Sequence, residues 1–446
     1  MQYSQRLISI VLVVLSAAAI GFAQNSIPNL SAQAANVTEF DVNGLKVILK
    51  RRESAPTVSA GLFLRGGVRN YDAKTAGIEN LMLNSAIEAG QAYNRQAVRR
   101  ELARTGSTIG ASASSDFSVI SIASTRDNFD LTWKIFADVS TKPVFDPADV
   151  NRVRDLMITS LREQETAPDG ALDALEDRIV YAGHPYSNDP SGSIATLTGI
   201  TPAQLRDYHK KVMETSRLLL VVVGDIDAAS LKAKVESSFG TLPKGNYQEA
   251  ALPGLDFSKP SLEVVSRQLP TNYIKGDFAA PSLNSPDYSA MRVAMSILKS
   301  RVFQEVRVNR QLSYAPDADM NNMAANSANI YVTAVDANQA VDVMLKEIDR
   351  LKHEDVSASD ISGSSGEFLT NYYLKQQTNS AQAIDLARYE LIGGGWKNSF
   401  QFLDRINRVT PDEIKAAANK YMKNIRFVVI GDPAAINKSV FGSAQQ

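Results

Sequence analysis

The 446-residue sequence contains no cysteine and only three histidines. Without cysteine the chain has no disulfide, no cysteine-linked lipid and no thiol nucleophile. A catalytic zinc site usually needs two or three imidazoles near one another, yet His184, His209 and His353 each lack another histidine within ligand spacing. A structural or solvated role is therefore the favoured interpretation of each histidine.

Motifs of other chemistries are also absent. The sequence has no Gly-x-Ser-x-Gly elbow of a serine hydrolase. The three glycines at 393–395 are followed by tryptophan and not by Lys-Ser or Lys-Thr, so they indicate the end of a helix and not a phosphate loop. A net charge of -1 argues against a nucleic-acid partner.

The N-terminus indicates export. Arg6 precedes an apolar stretch over residues 7–20 that is short for a membrane span, and Gly21-Phe22-Ala23 offers a cleavage site with small residues at its first and third positions. This pattern predicts a signal peptide over residues 1–23 and an exported, periplasmic protein with no stable membrane insertion after cleavage. An uncleaved membrane anchor is the alternative.

One pattern occurs twice, near the end of each half of the chain. Thr201, followed by proline, opens a helical stretch that leads into the apolar run 218–223 and a Gly-Asp pair. Thr410, also followed by proline, leads in the same order into the run 427–430 and a second Gly-Asp pair. Each copy has a threonine N-cap, proline at the first helical position and a β-branched run typical of a buried strand. The repeat predicts two similar lobes.

The order of elements predicts the same α+β fold in both halves. Each lobe is expected to be an antiparallel sheet with helices packed on one face, and the two lobes face each other across a cleft. Residues 240–260 contain glycine, proline and lysine at intervals, which is typical of a linker. The predicted domains are therefore residues 35–239 and 261–440.

Several short strings, in this order, resemble the pitrilysin (insulinase-like) metallopeptidase family, in particular its two-domain bacterial and mitochondrial-processing-peptidase branch. They are Asn43-Gly44-Leu45-Lys46-Val47, Arg65-Gly66-Gly67, Ala76-Gly77-Ile78, Gly183-His184-Pro185-Tyr186, residues 303–314 and the two Gly-Asp closes. Each string is weak alone, but together they are specific and span about residues 37–432.

The resemblance places the family's zinc site on the helix after the Ala-Gly-Ile string. There the family has His-x-x-Glu-His, with a further glutamate ligand later in the chain; the corresponding residues here are Asn80, Leu83, Asn84 and Ser160. Amide oxygens are weak zinc donors, and leucine accepts no proton. Glu79 lies elsewhere on the helical wheel and is a poor substitute. The resemblance therefore implies a chain with no metal, cofactor or catalytic residue of its own.

The second half retains a family feature. Arg307 and Tyr314 have the spacing of a pair that, in the family, contacts the substrate backbone near the scissile bond. A guanidinium and a phenol are suitable donors to peptide carbonyls. Gln311 stands where the family often has a small residue. The alternative is that Arg307 pairs with Glu305 on a helix surface and that Tyr314 is half buried.

The resemblance also implies that substrate adds as a strand to an edge of the N-terminal sheet. The matching stretch begins at Gly110, where the family usually has asparagine. Ala111, Ser112 and Ala113 are the substrate-binding candidates there, because their small neutral side chains leave room for an incoming chain.

Loss of the zinc positions together with retention of Arg307 and Tyr314 predicts a non-catalytic, substrate-binding subunit of a heterodimeric zinc-dependent endopeptidase. Zinc is then expected in the partner, a family paralogue with an intact zinc motif, and peptides are the expected substrates. Two alternatives remain: an assembly or scaffold homologue without a peptidase role, and a stand-alone peptide-binding protein.

Overall fold

A computed structural model describes residues 33–442, so the predicted signal peptide at 1–23 lies outside the described residues. The strands are β1 (Val37–Val42), β2 (Leu45–Arg51), β3 (Thr57–Arg65), β4 (Thr108–Ala113), β5 (Phe117–Thr125), β6 (Leu218–Gly224), β7 (Ser261–Ser266), β8 (Asn272–Ala280), β9 (Asp317–Met320), β10 (Asn326–Ala334) and β11 (Arg426–Gly431). The first-half helices are α1 (Ile78–Ala86), α2 (Arg95–Thr105), α3 (Phe129–Thr141), α4 (Pro147–Thr166), α5 (Pro168–Val180), α6 (Ile194–Gly199), α7 (Pro202–Val212) and α8 (Ala228–Phe239). The second-half helices are α9 (Tyr288–Val302), α10 (Ala337–His353), α11 (Ala358–Lys375), α12 (Asn379–Ile392), α13 (Phe402–Asn407), α14 (Pro411–Tyr421) and α15 (Lys438–Gly442).

The strands form two sheets, one in each half of the chain. Their orders are β1-β2-β6-β3-β5-β4 and β7-β11-β8-β10-β9. Pairing is antiparallel except for β2 with β6 and β7 with β11, which are parallel. The predicted two-lobed α+β fold is confirmed. Among the helices of residues 33–442, none combines the length and apolar character needed to cross a bilayer.

The repeated pattern forms the same local structure in both lobes. Thr201 accepts a hydrogen bond from the backbone N–H of Gln204, whose side chain accepts one from the backbone N–H of Thr201 at 2.8 Å. Thr410 and Glu413 form the same capping box, with the same 2.8 Å distance. Each box starts the helix that precedes the strand of the pattern, β6 or β11. The two threonine caps are therefore confirmed as equivalent helix starts.

Strand β6 is buried along its whole length because it serves two cores. Leu218, Leu220 and Val222 pack into the core of the first lobe, whereas Leu219 and Val221 face a core formed mainly by the second lobe. Successive side chains of a strand point to opposite faces, so this alternation means that both faces of the first sheet are covered.

The cover on the second face of each sheet is a helix from the other lobe. Helix α12 lies against β3 and β6 of the first sheet, and α5 lies against β8 and β11 of the second. At the second of these contacts, Leu172 and Leu175 pack on Val428 and Ile430. The lobes therefore exchange helices, and each sheet's core depends on both halves of the chain.

Strand β8 carries a buried carboxyl group beneath α5. Asp277 is fully buried, and its carboxyl group has no hydrogen-bond partner among the described residues apart from the carboxyl group of Glu176. The neighbouring Glu176 is engaged by the ammonium group of Lys275 at 2.5 Å, which also contacts Asp173 at 2.7 Å. Burial, and then the negative charge of Glu176, raises the pKa of Asp277 well above its ordinary value. Packing of the lobes therefore favours the protonated form of Asp277.

This buried proton makes stability depend on pH. The folded chain holds a proton that the unfolded chain releases above the ordinary carboxyl pKa, so the contribution is complete at low pH and is lost as the pH rises through the folded-state pKa. We expect Asp277→Asn, a neutral isostere, to be more stable than wild type in urea unfolding at about pH 8, with a gain that shrinks toward about pH 4. Asp173→Asn, which changes a half-exposed carboxylate on the same lysine, is the control and should lack this gain. An equal gain at both pH values would contradict the prediction.

Candidate functional site

Helix α1 carries the residues that correspond to the family's zinc motif. It begins after Gly77, whose φ of 86° is in the left-handed region. A Cβ atom at this position would lie 2.8 Å from the Cα of Gly192, so no larger residue fits without displacing backbone. The Ala-Gly-Ile string thus sets where α1 begins and how its faces are oriented.

Asn80 and Asn84 contact each other on one face of α1. The Asn84 side-chain amide donates to the Asn80 side-chain oxygen at 2.7 Å and to the Asn80 backbone oxygen at 2.9 Å. The i and i+4 spacing that would let two histidines share a metal here lets two amides bind each other. Their mutual hydrogen bond occupies the face that would have to bind zinc.

The other two motif positions also lack ligand chemistry. Leu83 is fully buried in the core of the first lobe, and Ser160 is exposed on α4. Within residues 33–442, no three histidine, cysteine, aspartate or glutamate side chains are placed to share a metal ion. The residues present at these positions therefore do not fit a zinc ion.

Glu79, which the sequence interpretation set aside, is the most constrained residue of α1. It is completely buried, and its carboxylate accepts hydrogen bonds from Arg217 at 2.6 Å, Tyr208 at 2.8 Å and Ser118 at 2.5 Å. Arg217 is also buried and donates to the backbone oxygen of Arg65 at 3.2 Å. These contacts join α1 to α7, β5 and the segment before β6. Glu79 thus fixes the position of the helix and is not available for proton transfer.

Burial and charge within this cluster shift the pKa values of Tyr208 and Arg217. Burial, and then the negative charge of Glu79, raises the pKa of the Tyr208 hydroxyl, which stays a donor. Burial alone would lower the pKa of Arg217, but the adjacent Glu79 carboxylate outweighs it and the pKa is raised. The buried carboxylate of Glu79 and the buried guanidinium of Arg217 therefore form a structural ion pair.

Arg307 and Tyr314 contact each other in the second lobe. The guanidinium carbon of Arg307 lies 3.9 Å from the ring centroid of Tyr314 and 5.1 Å from that of Phe303. Tyr314 is 79% exposed, and Arg307 forms no ion pair or hydrogen bond with the described residues. Stacking holds the guanidinium plane and leaves its N–H edges free to donate.

The surrounding loop has an unusual backbone. Arg307 lies in a π-helical turn, Phe303–Asn309, that continues α9. Gln311 has a φ of 55°, a conformation that costs a non-glycine residue on the order of 1 kcal/mol. Only glycine would adopt this conformation at this position without strain. Glu305, the partner in the alternative interpretation of Arg307, is bound instead by Arg310.

Strand β4 is an edge strand of the first sheet. Its residues pair with β5 alone among the described strands, in a register that sets Ala111 opposite Ile120 and Ala113 opposite Ser118. One row of backbone N–H and C=O groups is therefore unpaired, as strand addition requires. A Cβ atom added at Gly110 would meet nothing within 4 Å.

A cavity of about 480 Å³ lies between the lobes at the end of this strand. Ser112 and Ala113 contribute to its first-lobe wall, and Asn322 and Arg388 to its second-lobe wall. We call it the interlobe cavity. No hydrogen bond, ion pair or ring contact among the described residues joins Asn80 and Asn84 to the Arg307–Tyr314 pair. The candidate residues thus form separate groups in the two lobes.

The histidines have local structural roles. His184 accepts from the backbone N–H of Tyr186 through Nδ1 at 3.1 Å, so its Nε2 is left to donate to the Pro253 oxygen at 3.0 Å. Burial lowers the pKa of His209, whose Nε2 lies 2.8 Å from the Ser140 oxygen. Both rings stabilise loop and helix packing.

The fold and the site define a two-lobed, peptidase-like chain without metal ligands in its described part. Residues 46–189 match the family model described as Insulinase (Peptidase family M16), and residues 199–364 match the model described as Peptidase M16 inactive domain. This chain belongs to the M16, or insulinase-like, peptidase family.

Relatives of known name or structure agree with this assignment. The chain is 23% identical over 423 residues to a mitochondrial-processing peptidase subunit beta from Saccharomyces cerevisiae, covering 88% of this chain and 90% of that protein. The structure of a peptidase M16 inactive domain from Pseudomonas fluorescens has the same fold, with a TM-score of 0.80, 20% identity and coverage of 89% and 98%. The first half of the periplasmic protease PqqL from Escherichia coli gives a TM-score of 0.76 at 14% identity, with coverage of 93% and 96%. The sequence and fold together are those of a member of the M16 family.

Proposed function

We propose that this chain is the substrate-binding, non-catalytic subunit of a heterodimeric zinc endopeptidase of the M16 family. The observation that carries the proposal is the contrast between the two lobes. Asn80 and Asn84 bind each other where zinc ligands would stand, whereas Tyr314 is exposed and the half-buried Arg307 beside it has N–H groups that no described residue accepts. A chain that lacks a metal site but keeps donors for a substrate is suited to an enzyme in which one subunit holds the metal and the other binds the substrate.

The proposed binding mode has two parts. A peptide adds as a strand along β4, where Ala111, Ser112 and Ala113 present small side chains beside the unpaired backbone groups. Arg307 and Tyr314 donate hydrogen bonds to carbonyl oxygens of the same peptide, and to the negative oxygen that develops during hydrolysis. The partner, a family paralogue with an intact zinc motif, supplies the metal and the general base.

Two features support the proposed partner and the proposed cellular location. The yeast relative is named as a subunit of a processing peptidase, so a chain of similar sequence works in an assembly. The signal-peptide pattern over residues 1–23 and the periplasmic protease among the similar structures favour an exported, periplasmic protein. Neither feature identifies the substrate sequence.

The test is reconstitution. The mature chain is mixed with a paralogue from the same genome that carries His-x-x-Glu-His, and cleavage of a quenched fluorescent peptide library is followed against each protein alone. We expect the mixture to be at least about tenfold faster than the paralogue alone, because the second subunit adds the positioning donors. Metal analysis of the separated subunits should find zinc only in the paralogue. Stable association without any gain in rate would contradict the proposal and favour a scaffold role.

A further inference from the structure

A second cavity, of about 100 Å³, lies inside the second lobe between α9, α11 and α12. We call it the inner cavity. Arg388 and Asn322 line both this cavity and the interlobe cavity. These two side chains therefore lie between the cavities. A peptide bound at the end of β4 would lie close to the entrance of the inner cavity.

The inner cavity is lined by polar atoms that donate and have no acceptor. The hydroxyl of Tyr372, a residue only 8% exposed, has no hydrogen-bond partner, nor does the buried Nε of Arg292. Arg388 forms no hydrogen bond or ion pair with any described residue. A buried donor without an acceptor costs about 1–3 kcal/mol, so the two buried donors beside the half-buried Arg388 indicate that an acceptor from outside completes them.

The two neighbouring carboxyl groups form no ion pair with Arg388 and are hydrogen-bonded to other groups. Asp116 accepts from the Tyr186 hydroxyl at 2.5 Å and from the backbone N–H of Ala324 at 3.0 Å. Asp385 accepts from the hydroxyl of Ser399. Burial raises the pKa of both carboxyls, whereas the positive charge of Arg388 lowers it. The guanidinium of Arg388 still has N–H groups that no described residue accepts.

The rest of the wall combines aromatic rings with polar side chains. The rings are those of Tyr288, Phe368, Tyr372, Tyr389 and Phe402, and the polar side chains include Lys375, Gln376 and Asp385. A pocket that sets convergent polar groups among rings is typical of a site that binds one specific chemical group. Unpaired guanidinium and hydroxyl donors select a carboxylate as that group.

We propose that the inner cavity binds a carboxylate of the peptide that occupies the β4 edge, with Arg388 as its main contact. This inference rests on the proposed strand addition, and it defines the substrate class as acidic peptides or peptides that present a free C-terminus. Tyr372 and Arg292 donate to the same carboxylate and hold its orientation.

The experiment measures binding of four fluorescent peptides to the full mature chain by anisotropy. The peptides share one sequence and differ in a single Glu or Gln and in a free or amidated C-terminus, so they separate a side-chain carboxylate from a terminal one. We expect at least one carboxylate form to bind about tenfold more tightly than its amide, and Arg388→Gln to abolish that difference. Tyr372→Phe should reduce it.

The matched control is Arg408→Gln, which removes an exposed arginine of the same lobe and should leave the preference intact. Because the comparison of acid and amide peptides on wild type needs no variant, it decides the question even if a substitution impairs folding. Equal binding of all four peptides would overturn the carboxylate site while leaving strand addition standing. Absence of binding by every peptide would overturn both.

Discussion

Replacing Glu79 by alanine is expected to lower the free energy of unfolding by about 3–5 kcal/mol. The substitution leaves the guanidinium of Arg217 buried, with its side chain only 4% exposed and with no anion beside it. It also removes the acceptor for Tyr208 and Ser118. The measurement is urea unfolding followed by tryptophan fluorescence. Trp133, in the first-lobe core, reports on the lobe that contains the substitution.

The control for this prediction is a surface ion pair. Lys232 and Glu236 are one turn apart on α8, with both side chains more than half exposed, and Glu236→Ala should change stability by about 0–0.5 kcal/mol. The double variant Glu79→Met, Arg217→Met removes both buried charges. It should lower the free energy of unfolding less than Glu79→Ala alone, because no buried charge is then left unpaired. If Glu79→Ala behaved like the surface variant, Glu79 would not have the structural role described above.

Replacing Arg307 by alanine is expected to lower kcat/KM of the reconstituted two-subunit enzyme by about 10²- to 10³-fold, the cost of losing one donor to a developing oxyanion. The folded state should be little affected, since Arg307 stacks on the rings of Phe303 and Tyr314 and forms no hydrogen bond or ion pair with the described residues. Tyr314→Phe retains the stacked ring but loses the hydroxyl, so its effect should be smaller. Steady-state kinetics on the mixture provide the measurement.

Arg310 offers the matched control, because it lies one turn further along the same loop but its guanidinium is bound to Glu305. Arg310→Ala should leave kcat/KM within about threefold of wild type, as expected for an arginine that contacts no substrate. Equal rates for the wild-type and Arg307→Ala mixtures would show that Arg307 makes no contact with the substrate that matters for catalysis.

The elements that could be predicted from sequence are those whose causes are local. Thr201 and Thr410 each start a helix through a side chain three residues away, and the apolar runs after them form strands that sequence periodicity detects. Strand β9 was not predicted, because Asp317 and Asp319 give it little strand propensity and its pairing with β10 decides its conformation.

The candidate site divides in the same way. The loss of zinc chemistry at Asn80 and Asn84 is visible in the residues themselves, and the i, i+4 spacing predicts their shared face. The role of Glu79 is not visible, because its partner Arg217 is 138 residues away. Likewise, the unpaired state of Arg388 results from neighbours that satisfy other groups. Distant partners leave no periodic signal in a single sequence.

The helix exchange has a consequence for how this chain could be divided. A cut within residues 240–260 would give two fragments, each with a complete sheet but with one broad apolar surface left in water, because the helix that covers it belongs to the other fragment. The fragments would regain native packing only when they associate. A single half could cover this surface only with the corresponding helix of a second copy, as in a domain-swapped dimer. The tandem repeat places both halves of such a dimer in one polypeptide.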